Sequence, residues 1–391
     1  MNEIDRRLLL GAAGVAGMAA AAGFARGGPL SPPEGSVAST GRTLLEVEPR
    51  IPIGPTTTPG TATAVYRITQ PGSYYLTGNV QGVAGKHGIQ IEASDVTVDL
   101  MGFEVKGTYA GGPTDSVSGV NLDAFTPYKR TTVMNGTVSN WSGFGVALAS
   151  ESCLLQNIAA VGCGGGGMGT GNFGAYVDCS ATGGVFGFNA SPASTLCRCR
   201  VSGGTGEGFI LNQGCVADAC TAMSQGGHGF RMQGNSILRG CAAYLNAGDG
   251  FHVDNASSLI GCSAYRNSLN GIAAGSSSVL DCLCTSNNLH GIVASGNTLI
   301  RGNICDDNGA SGTGYGISVT GSHNRIEANH CTSNDQGINV SGSGNLIIRN
   351  SVSGNSGFGY AIAANNSFGP NVVPAGNQIA TSTNPHSNYE F

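Results

Sequence analysis

Gly208-Phe209-Ile210-Leu211, Gly229-Phe230-Arg231-Met232, Gly250-Phe251-His252-Val253 and Gly271-Ile272-Ala273-Ala274 carry the same short phrase, a glycine followed by apolar residues. Gly187-Phe188 precedes them. Gly291-Ile292-Val293-Ala294, Gly316-Ile317-Ser318-Val319, Gly337-Ile338-Asn339-Val340 and Gly359-Tyr360-Ala361-Ile362 follow. From Gly187 to Gly359 the successive gaps are 21, 21, 21, 21, 20, 25, 21 and 22 residues. A fixed period near twenty residues implies a solenoid, whose units bury their apolar face only by stacking on their neighbours.

Each period holds two further apolar segments. One is Ser236-Ile237-Leu238, Ser258-Leu259-Ile260 or Ser278-Val279-Leu280 in successive units. The other begins at a cysteine nine residues before the glycine: Cys199, Cys220, Cys241, Cys262 and Cys282. Two positions on, the thiol passes to Cys284, Cys305 and Cys331, and then to Val352. Five residues after the cysteine position stand Asn246, Asn267, Asn287, Asn308, Asn334 and Asn355. Segments this short with alternating apolar positions are strands, whereas helical repeats need longer units. Three strands in 21 residues leave no room for a reversing hairpin, so the chain coils continuously. Equivalent positions then stack about 4.8 Å apart. The cysteines form an interior ladder, and the asparagines mark a bend, because Asn tolerates the left-handed conformation.

These repeats resemble the right-handed parallel β-helix of the pectate-lyase-like superfamily, from about Gly88 to Ile379. The resemblance implies an all-β solenoid with three short strands per coil of about 21 residues, and its handedness. The opening, from Gly72-Ser73-Tyr74-Tyr75 to Val96-Thr97-Val98-Asp99-Leu100, is similar to that of exported bacterial β-helix proteins. The expected organisation is a twin-arginine signal peptide over 1–25 and a Pro-rich linker over 26–60. An N-terminal cap and first coil follow over 61–110, then the β-helix over 111–380 and a C-terminal cap over 381–391. The glycine-rich segment Gly162–Gly174 is expected to project as a loop.

Of 391 residues, 65 are glycine and only 10% are charged, which excludes a disordered chain. The net charge of −5, with no basic stripe, argues against a nucleic-acid partner. Asp5-Arg6-Arg7-Leu8-Leu9-Leu10, an Ala/Gly-rich apolar run and Gly23-Phe24-Ala25 read as a twin-arginine leader with a cleavage site. Its removal leaves no membrane span, and export to the periplasm or beyond is expected. The thirteen cysteines are expected as free thiols, since parallel stacking holds Cβ atoms wider apart than a disulfide allows.

Alternation within the glycine strand turns Phe230, Met232, Phe251 and Val253 inward, and Arg231, Gln233, His252 and Asp254 outward. Stacking gathers Glu207, His228, Arg231, Asp249, His252, Asp254 and His290 on one side. Residues just before a bend glycine are also good turn formers, which offers a plainer reason for Glu207, His228, Asp249 and His290. Arg231, His252 and Asp254 lie within the strand, where that reason does not apply.

His252 and His228 are candidate general bases, Arg231 a partner for a uronate carboxylate, and Asp249 and Asp254 groups that orient the imidazoles. Glu207, His290 and Gln233 are candidate substrate contacts. The expected function is cleavage or remodelling of a polysaccharide, foremost a uronate polymer by β-elimination, by a monomeric exported protein. The alternatives are a non-catalytic envelope protein and a periplasmic factor for copper maturation, the latter implied by a known β-helix with that role. Gly227-His228-Gly229 resembles the Gly-His-Gly of polygalacturonases, but their Asn-Thr-Asp is absent. So are the Asp-Pro-His-Asp of alginate epimerases and the Arg-x-Pro-x-x-Arg of pectate lyases. No cofactor or metal site is expected; calcium could assist, but no Asp-rich cradle marks its place.

Overall fold

The computed structural model describes residues 49–111, 116–122, 128–310, 312–373 and 382–391. The leader at 1–25 and the linker up to residue 48 lie outside them. Residues 50–391 form one compact unit, a stack of coils with parallel strands and, among the described residues, no helix. One face is a sheet of fourteen strands, from Ala64–Ile68 to Tyr360–Ile362, and it contains every glycine phrase. The other two faces form a single sheet of 28 strands. They merge at the long strands Thr132–Ser139 and Leu154–Val161, whose two halves pair with separate partners. The register is that of like on like: Phe209↔Phe230↔Phe251↔Ile272 on the glycine face, Leu238↔Leu259↔Val279 and Ala243↔Ala264↔Cys284 on the others.

Inside, the rings of Phe188, Phe209, Phe230 and Phe251 stack with centroids 4.9, 4.6 and 4.9 Å apart, the strand spacing itself. Met232, Val253 and the ladder thiols are buried with them. All thirteen cysteines are free, and only Cys197 is not buried. Burial pushes thiols up, Cys163 to about 11, because an apolar interior disfavours the thiolate.

Each coil turns three corners, and in the regular coils each corner carries a residue with positive φ. Examples are Asn235, Ala256 and Ser276 at one, Ala219, Gly240 and Gly261 at the next, and Leu245, Arg266 and Ser286 at the third. The asparagine column therefore does not work as expected: the left-handed residue is the one before each Asn. The asparagines from Asn246 to Asn334 point inward and are buried, and Asn355 at the end of the column is partly exposed. Asn267 Oδ1 accepts from the backbone N–H of Asn246 (3.2 Å) and from its Nδ2 (2.9 Å). Its own Nδ2 donates to the Ala243 carbonyl (3.1 Å) and to Asn287 Oδ1 (2.9 Å). The column is a continuous amide ladder that satisfies the backbone groups a corner leaves unpaired. A second one takes over where the cysteines end: Cys282 N–H donates to Asn303 Oδ1, and Asn303, Asn329, Asn350 and Asn388 continue the chain.

Two further expectations are corrected. The segment Gly162–Gly174 does not project. Gly166–Thr170 is a strand of the fourteen-stranded sheet, because side-chain-free positions let Phe144 and the neighbouring strands close over it. The stack also begins before residue 61, since Ile51–Pro52 pairs with Tyr74–Tyr75. At the other end Asn388–Glu390 pairs with Ser351–Val352 and supplies the last amide of the ladder, as a cap must.

Candidate functional site

The residue before each bend glycine forms a row along the glycine face. It runs Phe144, Gly166, Phe186, Glu207, His228, Asp249, Asn270, His290, Tyr315 and Gln336, in register from coil to coil. From His228 to His290 each side chain accepts the N–H of its successor. His228 Nδ1 accepts from Asp249 N (2.9 Å) and Asp249 Oδ1 from Asn270 N (3.0 Å). Asn270 Oδ1 accepts from His290 N (3.3 Å) and His290 Nδ1 from Tyr315 N (3.0 Å). The turn-forming reason for these residues thus has a physical basis. An imidazole that accepts at Nδ1 is neutral and carries its proton on Nε2. Burial lowers both His228 and His290 from the ordinary value, which keeps them in that form.

Asp249 has a further role. Its side chain is only 5% exposed, and its second oxygen, Oδ2, lies 2.9 Å from Nδ1 of His252, three residues on in the strand Phe251–Val253 of the same coil. Asn270 Nδ2 also donates to Oδ1 (2.8 Å). Burial raises a carboxyl, but the bonds from His252 and Asn270 outweigh it, and Asp249 sits below its usual range. The bond to Asp249 in turn raises His252, against a smaller opposing effect of burial. The outcome is an Asp–His dyad with Nδ1–H fixed on the carboxylate and Nε2 turned outward, 3.5 Å from Asp254 Oδ1. The His228 and His252 rings stack at 4.5 Å. Arg231 pairs in register with His252 one coil away, about half exposed, and touches Glu207 only loosely at 3.9 Å.

Six of the eight sequence candidates therefore come together: Glu207, His228, Arg231, Asp249, His252 and Asp254. His290 lies two coils beyond Asp249 beside Tyr315, and Gln233 is exposed past the end of its strand. Asn270 was not singled out, although it stands in the same pre-glycine row; only the folded chain shows that it clamps Asp249. One ligand atom each of His228, Asp249 and His252 falls within 4.8 Å of the others, a spacing within a metal ion's reach. The set fits one poorly as it stands: His228 Nδ1 is taken by a backbone N–H, His252 Nδ1 by Asp249, and the carboxylate by Asn270, which leaves only the two Nε2 nitrogens to face an ion. It suits calcium no better, since that ion needs six or more oxygens.

A sequence model described as "Right handed beta helix region" matches residues 249–384. The chain is a right-handed parallel β-helix. No curated protein matches the sequence. Among solved structures, the A-module of the mannuronan C-5 epimerase AlgE6 of Azotobacter vinelandii superposes with a TM-score of 0.58 at 14% identity. It covers 82% of this β-helix and 89% of that chain. The A-module of AlgE4 from the same organism gives 0.51 at 14% identity, over 76% and 90%. Gene product 12 of bacteriophage phi29 gives 0.53 at 12% identity, over 79% of this chain but 55% of its own. At these identities the likeness is one of fold. No helix among the described residues is long and apolar enough to cross a membrane.

Proposed function

We propose that the outward glycine face binds an acidic polysaccharide and that the Asp249–His252 dyad, with Arg231, removes the proton α to a uronate carboxylate. The observation that carries this reading is the 2.9 Å bond from His252 to a buried carboxylate. It fixes the tautomer and leaves Nε2 as an outward base near neutral pH, beside the arginine of the next coil. Of the fourteen strands on this face, only Ala64–Ile68 and Phe230–Met232 contain arginine. Arg67 is held by Glu92 at 2.9 Å, whereas Arg231 has only its loose contact with Glu207.

In this mechanism Arg231 pairs with the substrate carboxylate. As His252 Nε2 takes the α-proton, the negative charge moves onto the carboxylate oxygens, where the guanidinium stabilises it. Asp249 stabilises the imidazolium that forms. Collapse of the anion expels the neighbouring glycosidic oxygen, which takes a proton from water, and leaves an unsaturated sugar; a proton delivered from solvent to the opposite face, with the abstracted one lost from His252 to water, would instead invert the carbon. Two of the superposed structures are named for a C-5 epimerase of mannuronan, which supports a uronate substrate without deciding between these outcomes. The leader over 1–25 places the protein outside the cytoplasm in this reading.

The test is turnover of mannuronan, guluronan and polygalacturonate, followed by ultraviolet absorbance for elimination and by proton exchange at C5 for epimerisation. His252→Ala and Arg231→Ala should each abolish it. Activity that survives both substitutions rejects the site. A second reading, a non-catalytic glycan-binding scaffold, is favoured by the use of the pre-glycine side chains as backbone acceptors. It predicts binding without turnover.

A further inference from the structure

The row that holds Asp249 continues toward the N-terminal end as His228, Glu207, Phe186, Gly166 and Phe144. Outward positions on a solvated sheet are ordinarily polar, yet two of these are phenylalanine, and neither is buried. Phe144 does not stand up from the sheet. A Cβ placed on Gly166 would meet its Cε1 at 2.8 Å, and one placed on Gly169 would meet the same atom at 3.7 Å. The ring therefore lies over the Gly166–Thr170 strand one coil on, and that strand admits it because these outward positions are glycine. Phe186 leans the same way, its Cδ1 3.6 Å from a Cβ placed on Gly206. The middle outward row beside them is Ala147, Gly169 and Asn189, which raises no wall.

We infer that Phe144 and Phe186 form an aromatic platform for pyranose rings of the same polymer, a distal binding region that continues the candidate site along the coil axis. This inference rests on the polysaccharide reading above. A half-buried ring laid along the sheet is suited to the apolar C–H face of a sugar, since aromatic faces carry negative charge density and C–H edges positive. The spacing fits as well: a pyranose unit of an extended chain is comparable in length to one coil step. Phe144 lies five coils from Asp249, about 24 Å at the strand spacing. A chain seated on the dyad at one end and on Phe144 at the other spans about as many sugars as there are coils, so the platform is felt only by long substrates. The platform lies on one side of the dyad only. Toward the C-terminal end the corresponding row holds Asn270, His290, Tyr315 and Gln336, where the one phenol ring is tilted against His290 at 5.4 Å and no phenylalanine lies over a glycine strand. A polymer would thus bind with a preferred direction.

The experiment compares binding of size-fractionated uronate oligosaccharides, from dimers to chains longer than six sugars, to the full chain and to Phe144→Ala, Phe186→Ala and Phe144→Trp. Calorimetry gives affinity independently of turnover, and thermal melting confirms that each variant is folded. The expected result is a roughly five- to tenfold loss of affinity for long chains in each alanine variant, the worth of one aromatic contact, with dimers unaffected and Phe144→Trp at or above the native level. Affinity for long chains that is unchanged in both alanine variants overturns the platform, as does an equal loss at every length. The outcome is separable from that of the catalytic reading. Binding that depends on length and on Phe144, in a protein whose turnover ignores His252, keeps the platform and removes the dyad. His252-dependent turnover with no effect of Phe144 does the reverse.

Discussion

Asp249→Asn isolates the chemistry of the dyad with almost no change in shape. The native carboxylate accepts from His252 Nδ1 at 2.9 Å and twice from Asn270, at 3.0 and 2.8 Å. An amide in its place keeps Oδ1 for Asn270 but turns an NH₂ toward His252 Nδ1. The imidazole must then accept at Nδ1 and carry its proton on Nε2, so the outward lone pair vanishes. A charge-assisted bond contributes about 1.5–3 kcal/mol. The His252 side chain is 36% exposed, so solvent screening brings its share to the low end of that range or below it. The ring-proton resonance of His252, assigned through His252→Gln, should titrate at a lower pH in the variant, because the bond to Asp249 is what raises it. Turnover of a uronate polymer should fall by a factor of about 10² or more, the usual worth of a general base. The pH dependence has a definite sign. His252 is raised in the folded state, so its share of stability is complete below the ordinary histidine value and is lost as pH rises through the higher folded value. Asp249 is lowered, so its share is present above the ordinary carboxyl value and is lost as pH falls through the lower one. The stability gap between native and variant chains should therefore be widest between about pH 4 and 6.5 and narrow on either side. A His252 midpoint that stays in place, or moves up, refutes the dyad.

Other expectations concern the scaffold. Asn267→Ala strands two donors and two acceptors in the ladder and should lower unfolding stability by about 3–5 kcal/mol in urea titrations; Asn355→Ala, at the end of the column, should cost less. Leu245 is half exposed at φ 58°, so Leu245→Gly should gain up to about 1 kcal/mol in the same assay, whereas Ala264→Gly inside a strand should lose stability. A thiol reagent should modify Cys197 alone in the native protein and all thirteen cysteines after denaturation; rapid labelling of Cys241 or Cys262 in native buffer would contradict the buried ladder.

The glycine phrase was enough to place Phe230 and Phe251 inside, Arg231 and His252 outside, and to set Glu207, His228 and Asp249 on adjacent coils. A fixed period converts sequence separation directly into spatial neighbourhood, and strand alternation converts odd and even into in and out. The same logic weakens where the period does. Between Gly119 and Gly187 the coils vary in length, and Gly162–Gly174 offers no apolar alternation to mark its strand. It also misjudged the asparagines. Their residue type suits a corner, but the corner's left-handed position belongs to the neighbour, and the amide's value lies in bonding the coils above and below.

What the amino-acid order determined by itself is therefore the solenoid, the identity of the stacked rows and the side of the sheet on which each residue falls. These follow from periodicity, which is a property of the chain. Side-chain direction within a row was decided only by the tertiary structure. Asp249 reaches sideways to His252 as well as along its own row to Asn270, His228 surrenders Nδ1 to a backbone amide, and Phe144 lies down over Gly166. Each of these depends on rotamers and on buried hydrogen-bond partners supplied by the coils on either side, which no spacing encodes.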